Sequence, residues 1–408
     1  MNPKQFSKNI SAVKLSPIVK ISELVREKAP GYRASTGQDF IYFQRGEIGF
    51  NTPEYIIEAA ARALREGHTR YPKSGGEPVL KEAIIGKLAR LNDAHGLRPE
   101  NVFVTYGGQE ALQLSFKLFE GGKGAGFSPC WSCVLENFVP YNDIEFTLIP
   151  LKSDFSVDWT QLETVLRRVD FFYFNNPQNP TGKVFSEAEV RKIAELCGRH
   201  GVYLIADEAY ERVTFDGRTH FSAASLEQDF IITCFTFSKA YAMTGWRVGY
   251  VVCRDPQIIQ LGRLGDYSQT AGVVTFVQHA AAYALNEAEE EARVFSEMMA
   301  IYDERRALLI KLLGKLDRIT VEKPQGAFYV FPDFSALIPS AMPFEERKTY
   351  IFEHLLSHGV AVVYGACFGR HFVNNVRISF STSNLEQIRT GVARIQLAIE
   401  ALRSKACA

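Results

Sequence analysis

The sequence has no excess of charge of either sign. Its 408 residues carry 46 Lys and Arg against 46 Asp and Glu, so the formal net charge is zero. A protein without net positive charge has no general attraction to phosphate backbones or to anionic lipid surfaces. The sequence therefore predicts that neither nucleic acid nor a membrane surface is a partner.

Long hydrophobic runs are also missing. No stretch approaches the roughly eighteen consecutive apolar residues of a membrane-spanning helix. The N-terminal segment MNPKQFSKNISAVKLSP lacks the apolar centre of a secretory signal. Hydrophobic residues make up 46% and charged residues 23% of the chain, which is ordinary for a globular protein. These features predict a globular protein of the cytoplasm.

Cysteine does not form a structural pattern in this chain. The seven cysteines are scattered, and an odd number in a long chain is not a disulfide framework. Cys130 and Cys133 form a C-x-x-C pair, but a zinc site would need a second close pair. We interpret both as packing thiols. His354 and His358 are four residues apart on a predicted helix, and we interpret them as its polar edge, so no metal site is predicted.

Short apolar runs alternate with longer amphipathic segments in the middle of the chain. The runs are NVFVTY, DIEFTLIP, FFYF, GVYLIAD, FIITCFTF and VGYVVC. One intervening segment, SEAEVRKIAELCGRHG, begins with a capping box formed by Ser186 and Glu189. Continuous apolar strands separated by helices are typical of a mostly parallel sheet with helices on both faces. The pattern predicts an α/β fold.

The chain changes character after about residue 300. A long charged helix leads to the shorter strand-like segments GAFYVFPDF, VAVVYG and NNVRISFST, and then to a closing helix. This mixture predicts a smaller α+β domain that residues from the N-terminus complete. We place the large domain at 46–299 and the small domain at 1–45 and 300–408, with a helix near 286–314 as the connector.

Polar and ionisable residues follow several of the apolar runs, in YGGQE, NNPQNPTG, DEAY and SKAYAMTGWR. Ligands of open α/β sheets bind beyond the carboxyl ends of the strands, so we expect these segments to lie together. Lys239 can form a Schiff base with a carbonyl if burial beside a second cation lowers its pKa. Asp207 would add a carboxylate and Asn179 a fixed donor, and the YGGQE glycines open a helix that can bind phosphate. Together these groups predict pyridoxal phosphate as the cofactor.

The sequence resembles the class I aminotransferases, which are pyridoxal-phosphate enzymes of fold type I. The resemblance extends from GEIGFNTP to VRISFST, and SKAYAMTGWRVGY is similar to the family's lysine signature. It implies a large domain with a mostly parallel sheet between helices, and a smaller α+β domain. It also implies transamination, in which an L-amino acid gives its amine to the cofactor and a 2-oxo acid collects it in a ping-pong cycle.

The resemblance implies roles for individual catalytic residues. Lys239 corresponds to the lysine that holds the cofactor as a Schiff base, the internal aldimine, and then moves a proton between the substrate Cα and the cofactor C4′. Asp207 corresponds to the aspartate that keeps the ring nitrogen protonated. Asn179 and Tyr210 correspond to donors to the phenolic oxygen of the ring. Trp131 corresponds to the aromatic that stacks on the ring, although tryptophan is also common in protein cores.

The resemblance also implies phosphate and substrate contacts. The phosphate ligands would be Gly108, Gln109, Thr236, Ser238 and Arg247. Arg377 corresponds to the arginine that binds the substrate α-carboxylate, for which a guanidinium fork is suited. Gly46 and Asn179 would lie beside that carboxylate. Tyr71, in HTRYPKSGG, corresponds to a tyrosine that reaches the phosphate of a neighbouring subunit, which implies a homodimer with shared active sites. An ordinary turn glycine and an ordinary loop aromatic are the alternatives for Gly46 and Tyr71.

The sequence departs from the family pattern in several places, among them the segment EGGKGAGFSPCW before Trp131. The loop GEIGF stands where the family usually has G-E-P-D-F. Because a fold and a cofactor do not fix the reaction, we keep another pyridoxal-phosphate reaction on an amino acid as the alternative: elimination, cyclisation, decarboxylation or oxidation. Gln109 stands where some aspartate-preferring relatives have a lysine for a distal carboxylate. Its neutrality argues against a strictly acidic amino donor.

Overall fold

The computed structural model describes residues 7–406. Its strands are β1 (Ile41–Tyr42), β2 (Val102–Thr105), β3 (Lys123–Ser128), β4 (Glu145–Pro150), β5 (Phe171–Asn175), β6 (Tyr203–Asp207), β7 (Ile231–Thr236), β8 (Gly249–Val252), β9 (Tyr329–Val330), β10 (Val360–Ala361), β11 (Val363–Tyr364) and β12 (Val376–Ser379). Its α-helices are α1 (Lys8–Ala12), α2 (Pro17–Thr36), α3 (Glu54–Arg65), α4 (Pro78–Asn92), α5 (Gly107–Lys117), α6 (Val139–Tyr141), α7 (Trp159–Leu166), α8 (Glu187–His200), α9 (Phe237–Ala240), α10 (Pro256–Gln269), α11 (Thr275–Asn286), α12 (Ala288–Leu313), α13 (Phe344–Ser357) and α14 (Leu385–Ala406).

A seven-stranded sheet with the order β2-β8-β7-β6-β5-β3-β4 is the central element. The strands from β4 to β7 in this order pair in parallel, whereas β8 pairs antiparallel with both β7 and β2. The sheet is therefore mostly parallel. Buried hydrophobic clusters lie against both of its faces. The predicted α/β fold class is confirmed.

Strand β3 was not among the runs that the sequence pattern identified. Its sequence, KGAGFS, contains two glycines and little apolar surface. A Cβ atom at Gly124 would lie 2.3 Å from the ring of Phe171, and one at Gly126 would lie 2.9 Å from the ring of Phe146. The glycines therefore make room for aromatic rings of the two flanking strands. Neighbouring side chains supply the hydrophobic surface that the strand itself lacks.

Segments from both ends of the described chain form the second structural region. Strand β1 pairs in parallel with β10, and β11, β12 and β9 form a small antiparallel sheet. Helix α12 packs against α14. Because α12 is continuous across the predicted boundary between residues 299 and 300, the connecting helix belongs to both regions, and the division into domains stays a prediction.

No helix within residues 7–406 is both long and apolar enough to cross a membrane. Six cysteines in this range are free thiols, and Cys407 lies outside the described residues.

A close backbone contact fixes the start of α5 on β8. A Cβ atom at Gly249 would lie 2.7 Å from the carbonyl carbon of Gly107 and 2.8 Å from the amide nitrogen of Gly108. Both atoms belong to the backbone, so a side-chain movement cannot relieve the overlap. The first turn of α5 therefore depends on glycine at position 249.

Substitution Gly249→Ala should lower the free energy of unfolding by about 1–3 kcal/mol, because the added methyl overpacks a backbone contact. Urea denaturation of the cofactor-free protein measures this change. Gly245→Ala is the matched control, since Gly245 has no atom within 4 Å of the added Cβ. It should change the stability by less than about 0.5 kcal/mol. Equal stability of the two variants would contradict the close contact.

Candidate active site

A cavity of 420 Å³ lies at the carboxyl ends of the parallel strands. It brings together all the site residues predicted from the sequence except Tyr71: Gly46, Gly108, Gln109, Trp131, Asn179, Asp207, Tyr210, Thr236, Ser238, Lys239, Arg247 and Arg377. Tyr71 lies outside the cavity, and 90% of its surface is exposed. The predicted residues thus share one site, with a single exception.

Lys239 lies on α9, directly after β7. Its Nζ donates a hydrogen bond of 2.9 Å to the carbonyl oxygen of Gly46. Burial, and then the nearby Arg377 guanidinium, lower the pKa of Lys239 from 10.5 to about 8. The amine therefore reaches its neutral form, which attacks a carbonyl, at a lower pH than an ordinary lysine does.

Asp207 is the last residue of β6 and is buried. Its Oδ2 accepts a hydrogen bond of 3.0 Å from the Tyr173 hydroxyl, and its Oδ1 accepts one of 3.1 Å from the backbone N–H of Ala209. Burial raises the pKa of Asp207 to about 6, although both hydrogen bonds oppose that rise. The carboxylate is thus mainly ionised at neutral pH and suited to pair with a cationic group in the cavity.

Arg377 is a buried cation on β12, with only 1% of its surface exposed. Its guanidinium donates to the Asn179 side-chain oxygen at 3.0 Å and to the Gln44 carbonyl oxygen at 2.9 Å, and it lies 4.3 Å from the centre of the Tyr329 ring. Its Nε has no hydrogen-bond partner. Within residues 7–406 no side-chain carboxylate forms an ion pair with it. A carboxylate from a substrate would supply the missing counter-ion.

The beginning of α5 faces the same cavity. The first N–H groups of a helix have no partner within the helix, so those of Gly108 and Gln109 can bind an anion. The Thr236 and Ser238 hydroxyls lie 2.9 Å apart beside them. Arg247 packs against Gly107, where a Cβ atom would lie 2.9 Å from Nη2. Backbone donors, hydroxyl groups and a guanidinium together fit a phosphate group.

Residues 38–395 match the family model described as aminotransferase class I and II. This chain belongs to that family. It is 36% identical to a probable aspartate/prephenate aminotransferase of Aquifex aeolicus, over 97% of this chain and 99% of the relative. It is 33% identical to an aspartate aminotransferase of Geobacillus stearothermophilus, over 92% and 95% of the two chains. The solved structure of Thermus thermophilus aspartate aminotransferase with maleate matches with a TM-score of 0.87 and 31% identity, over 97% and 100% of the chains.

The predicted family and enzymatic activity are confirmed. These relatives are named aminotransferases, so transamination is favoured over the elimination, cyclisation, decarboxylation or oxidation that we kept as the alternative. The protein is an aminotransferase.

Two tyrosines in or behind the aminotransferase cavity were not predicted from the sequence. Tyr329 lies in the wall, and its hydroxyl is 2.8 Å from the Tyr210 hydroxyl. Tyr173 contacts Asp207 but was counted as part of the apolar run FFYF. Strand alternation was a usable signal, because residues two apart on a strand share a face, which places Tyr173 with Asn175 at the strand end.

The N-terminal segment also contributes to the wall through Ser16, Ile18 and Val19. Its position depends on tertiary contacts. The Lys14 N–H donates to the Glu136 carbonyl oxygen at 3.0 Å, and the Asn137 side chain donates to the Lys14 carbonyl oxygen at 2.6 Å. No local sequence pattern encodes contacts between such distant parts of the chain.

The cofactor-free enzyme should capture pyridoxal phosphate covalently at a rate that rises with pH and levels off above about 8, because the neutral Lys239 amine is the nucleophile. Stopped-flow absorbance measures this rate. In Arg377→Leu the loss of a neighbouring cation should raise the pKa of Lys239 and move the profile to higher pH. If the capture rate has the same pH dependence in both proteins and still rises near pH 10.5, the pKa of an ordinary lysine, the lowered pKa of Lys239 is contradicted.

Proposed function

We propose that this aminotransferase uses pyridoxal phosphate to move an amino group from an L-amino acid to a 2-oxo acid in two half-reactions. The observation that carries the proposal is the meeting of Lys239, Asp207 and Arg377 with the start of α5 in one cavity. When bound, the cofactor supplies an aldehyde that takes up amino groups and a ring that withdraws electron density from the substrate Cα.

Each residue of the cavity has a separate role in the proposed reaction. With the cofactor bound, the Lys239 amine would serve as the base that moves a proton to and from the substrate Cα. The Asp207 carboxylate pairs with the ring nitrogen and favours its protonated form. Tyr210 and Asn179 would donate to the phenolic oxygen of the cofactor, and Trp131 would pack against its ring.

Two further groups of residues orient the ligands. Arg377 binds the substrate α-carboxylate, and Gly46 and Asn179 lie beside it. The phosphate is held by the α5 amides, the two hydroxyls and a guanidinium: Gly108, Gln109, Thr236, Ser238 and Arg247. Anchoring both ends of the reacting pair holds the Cα within reach of Lys239.

The lining residues that the proposed contacts leave for the substrate side chain include the apolar Ile18, Val19 and Leu112, the neutral Gln109 and the acidic Glu47. The cations among the described lining residues are Lys239, Arg247 and Arg377, and each has a role in the proposal. The Thermus thermophilus relative was solved with maleate, a dicarboxylate. We propose that this enzyme prefers amino donors with uncharged side chains to aspartate.

A donor screen without any 2-oxo acid tests the proposed reaction. Uncharged amino donors should convert the bound pyridoxal phosphate to pyridoxamine phosphate faster than aspartate does, as read from cofactor absorbance. Lys239→Ala should keep the cofactor without a covalent bond and lose at least about 10²–10⁴-fold in rate, because the positioned base is missing. Release of ammonia or carbon dioxide without pyridoxamine phosphate would contradict transamination, and aspartate as the fastest donor would contradict the preference.

Tyr71 supports a site shared between two subunits. Its ring is 90% exposed in the single chain, which is unusual for a large aromatic side chain. The hydroxyl of a tyrosine on such a loop is free to reach a second copy of the chain. We propose that the enzyme is a homodimer in which Tyr71 of each subunit contacts the phosphate bound by the other.

Mixing subunits that carry Tyr71→Ala with subunits that carry Lys239→Ala tests the shared site. Each mixed dimer should contain one site with both lesions and one site with neither, so activity should rise above that of both parent variants after exchange. Size-exclusion chromatography with tagged subunits establishes that exchange occurs. Exchange without recovery of activity, or an active monomer, would refute the shared site.

A further inference from the structure

Tyr173 makes a buried hydrogen bond to Asp207, and the proposed reaction assigns no role to this bond. It lies in the middle of β5 with 2% of its surface exposed, and its hydroxyl donates to Asp207 Oδ2 at 3.0 Å. Strand register explains this contact. β5 pairs in parallel with β6, so that Tyr173 lies opposite Ile205 and Asn175 opposite Asp207. Side-chain alternation then places Tyr173 and Asp207 on the same face of the sheet.

The surroundings of Asp207 contain few groups that can stabilise its charge. Within residues 7–406, the Tyr173 hydroxyl is its side-chain donor and the Ala209 N–H is its backbone donor. The nearby Cys130 and Cys234 thiols have pKa values raised by burial, so they stay neutral, and Lys239 is the nearby cation. Burial also raises the pKa of the Tyr173 phenol well above its usual value, so Tyr173 remains a donor throughout the working pH range.

We propose that Tyr173 is a positioning residue that holds the Asp207 carboxylate ionised and oriented toward the ring nitrogen of pyridoxal phosphate. The inference rests on the proposed function, because it needs Asp207 to pair with that nitrogen. The hydroxyl donor at Oδ2 stabilises the anion and restrains a carboxylate that lines the cavity. Tyr173 thereby acts on the cofactor through Asp207, without touching it.

A purely structural role for Tyr173 is the competing explanation. Its ring packs in the cluster that contains Phe116, at a centroid distance of 5.6 Å. Tyr173→Phe keeps this packing and removes only the hydroxyl. Tyr203→Phe is the matched control, because Tyr203 also donates to an aspartate, Asp255, at 3.2 Å, but that carboxylate caps the distant helix α10.

Nitrogen NMR of pyridoxal phosphate labelled at the ring nitrogen, followed as a function of pH in the bound state, separates the two roles. In the unchanged enzyme the nitrogen should stay protonated across the neutral range. Tyr173→Phe should shift its protonation equilibrium about tenfold toward the neutral form and weaken cofactor binding about tenfold, since hydrogen bonds to charged groups carry effects of this size. Tyr203→Phe should behave like the unchanged enzyme.

The outcomes distinguish this inference from the proposed function. A ring nitrogen that is not protonated in the unchanged enzyme would overturn the pairing with Asp207 itself. A protonated nitrogen that is equally protonated in Tyr173→Phe would overturn the role of Tyr173 alone. If Tyr173→Phe does not fold, fluorotyrosine at position 173 keeps the shape and donates more strongly. It should then increase the protonated fraction at high pH, and an unchanged fraction would overturn the inference.

Discussion

Parallel pairing of β5, β6 and β7 is the constraint on which the active site depends. The register places Asn175 opposite Asp207, and Asp207 opposite Cys234. Because side chains alternate, a slip of one residue would turn Asp207 to the opposite face, where the buried neighbours on these strands are Phe172, Phe174 and Leu204. Such a slip would place the Asp207 carboxylate among these apolar side chains, where an unpartnered charge is costly. The packing of the sheet therefore also determines where the ionisable groups lie.

The parts of the site that local sequence patterns encode could be predicted from the sequence. Lys239, Asp207 and Asn179 follow apolar strands directly, and the strand ends of a parallel sheet meet at one edge. Resemblance to a family added residues such as Arg377, which lies far along the chain from the sheet. The cavity contains these residues together.

Other parts of the structure could not be predicted because their stability comes from distant contacts. Strand β3 has glycines where a strand usually has large side chains, and the rings of Phe171 and Phe146 fill the space. The segment around Ser16 reaches the cavity through backbone contacts with residues near position 136. Tyr173 carries a polar group inside an apolar run, and only the pairing with β6 shows that this group faces a carboxylate.

The buried guanidinium of Arg377 has a consequence for the evolution of the protein. An unpaired buried charge is costly, and replacing buried charged groups by well-packed apolar residues often increases stability. Methionine at this position would remove that cost together with the anion site. Selection for a more stable fold and selection for substrate binding thus act in opposite directions at position 377. A bound carboxylate would pair with this guanidinium, and a ligand that binds only the folded state stabilises that state.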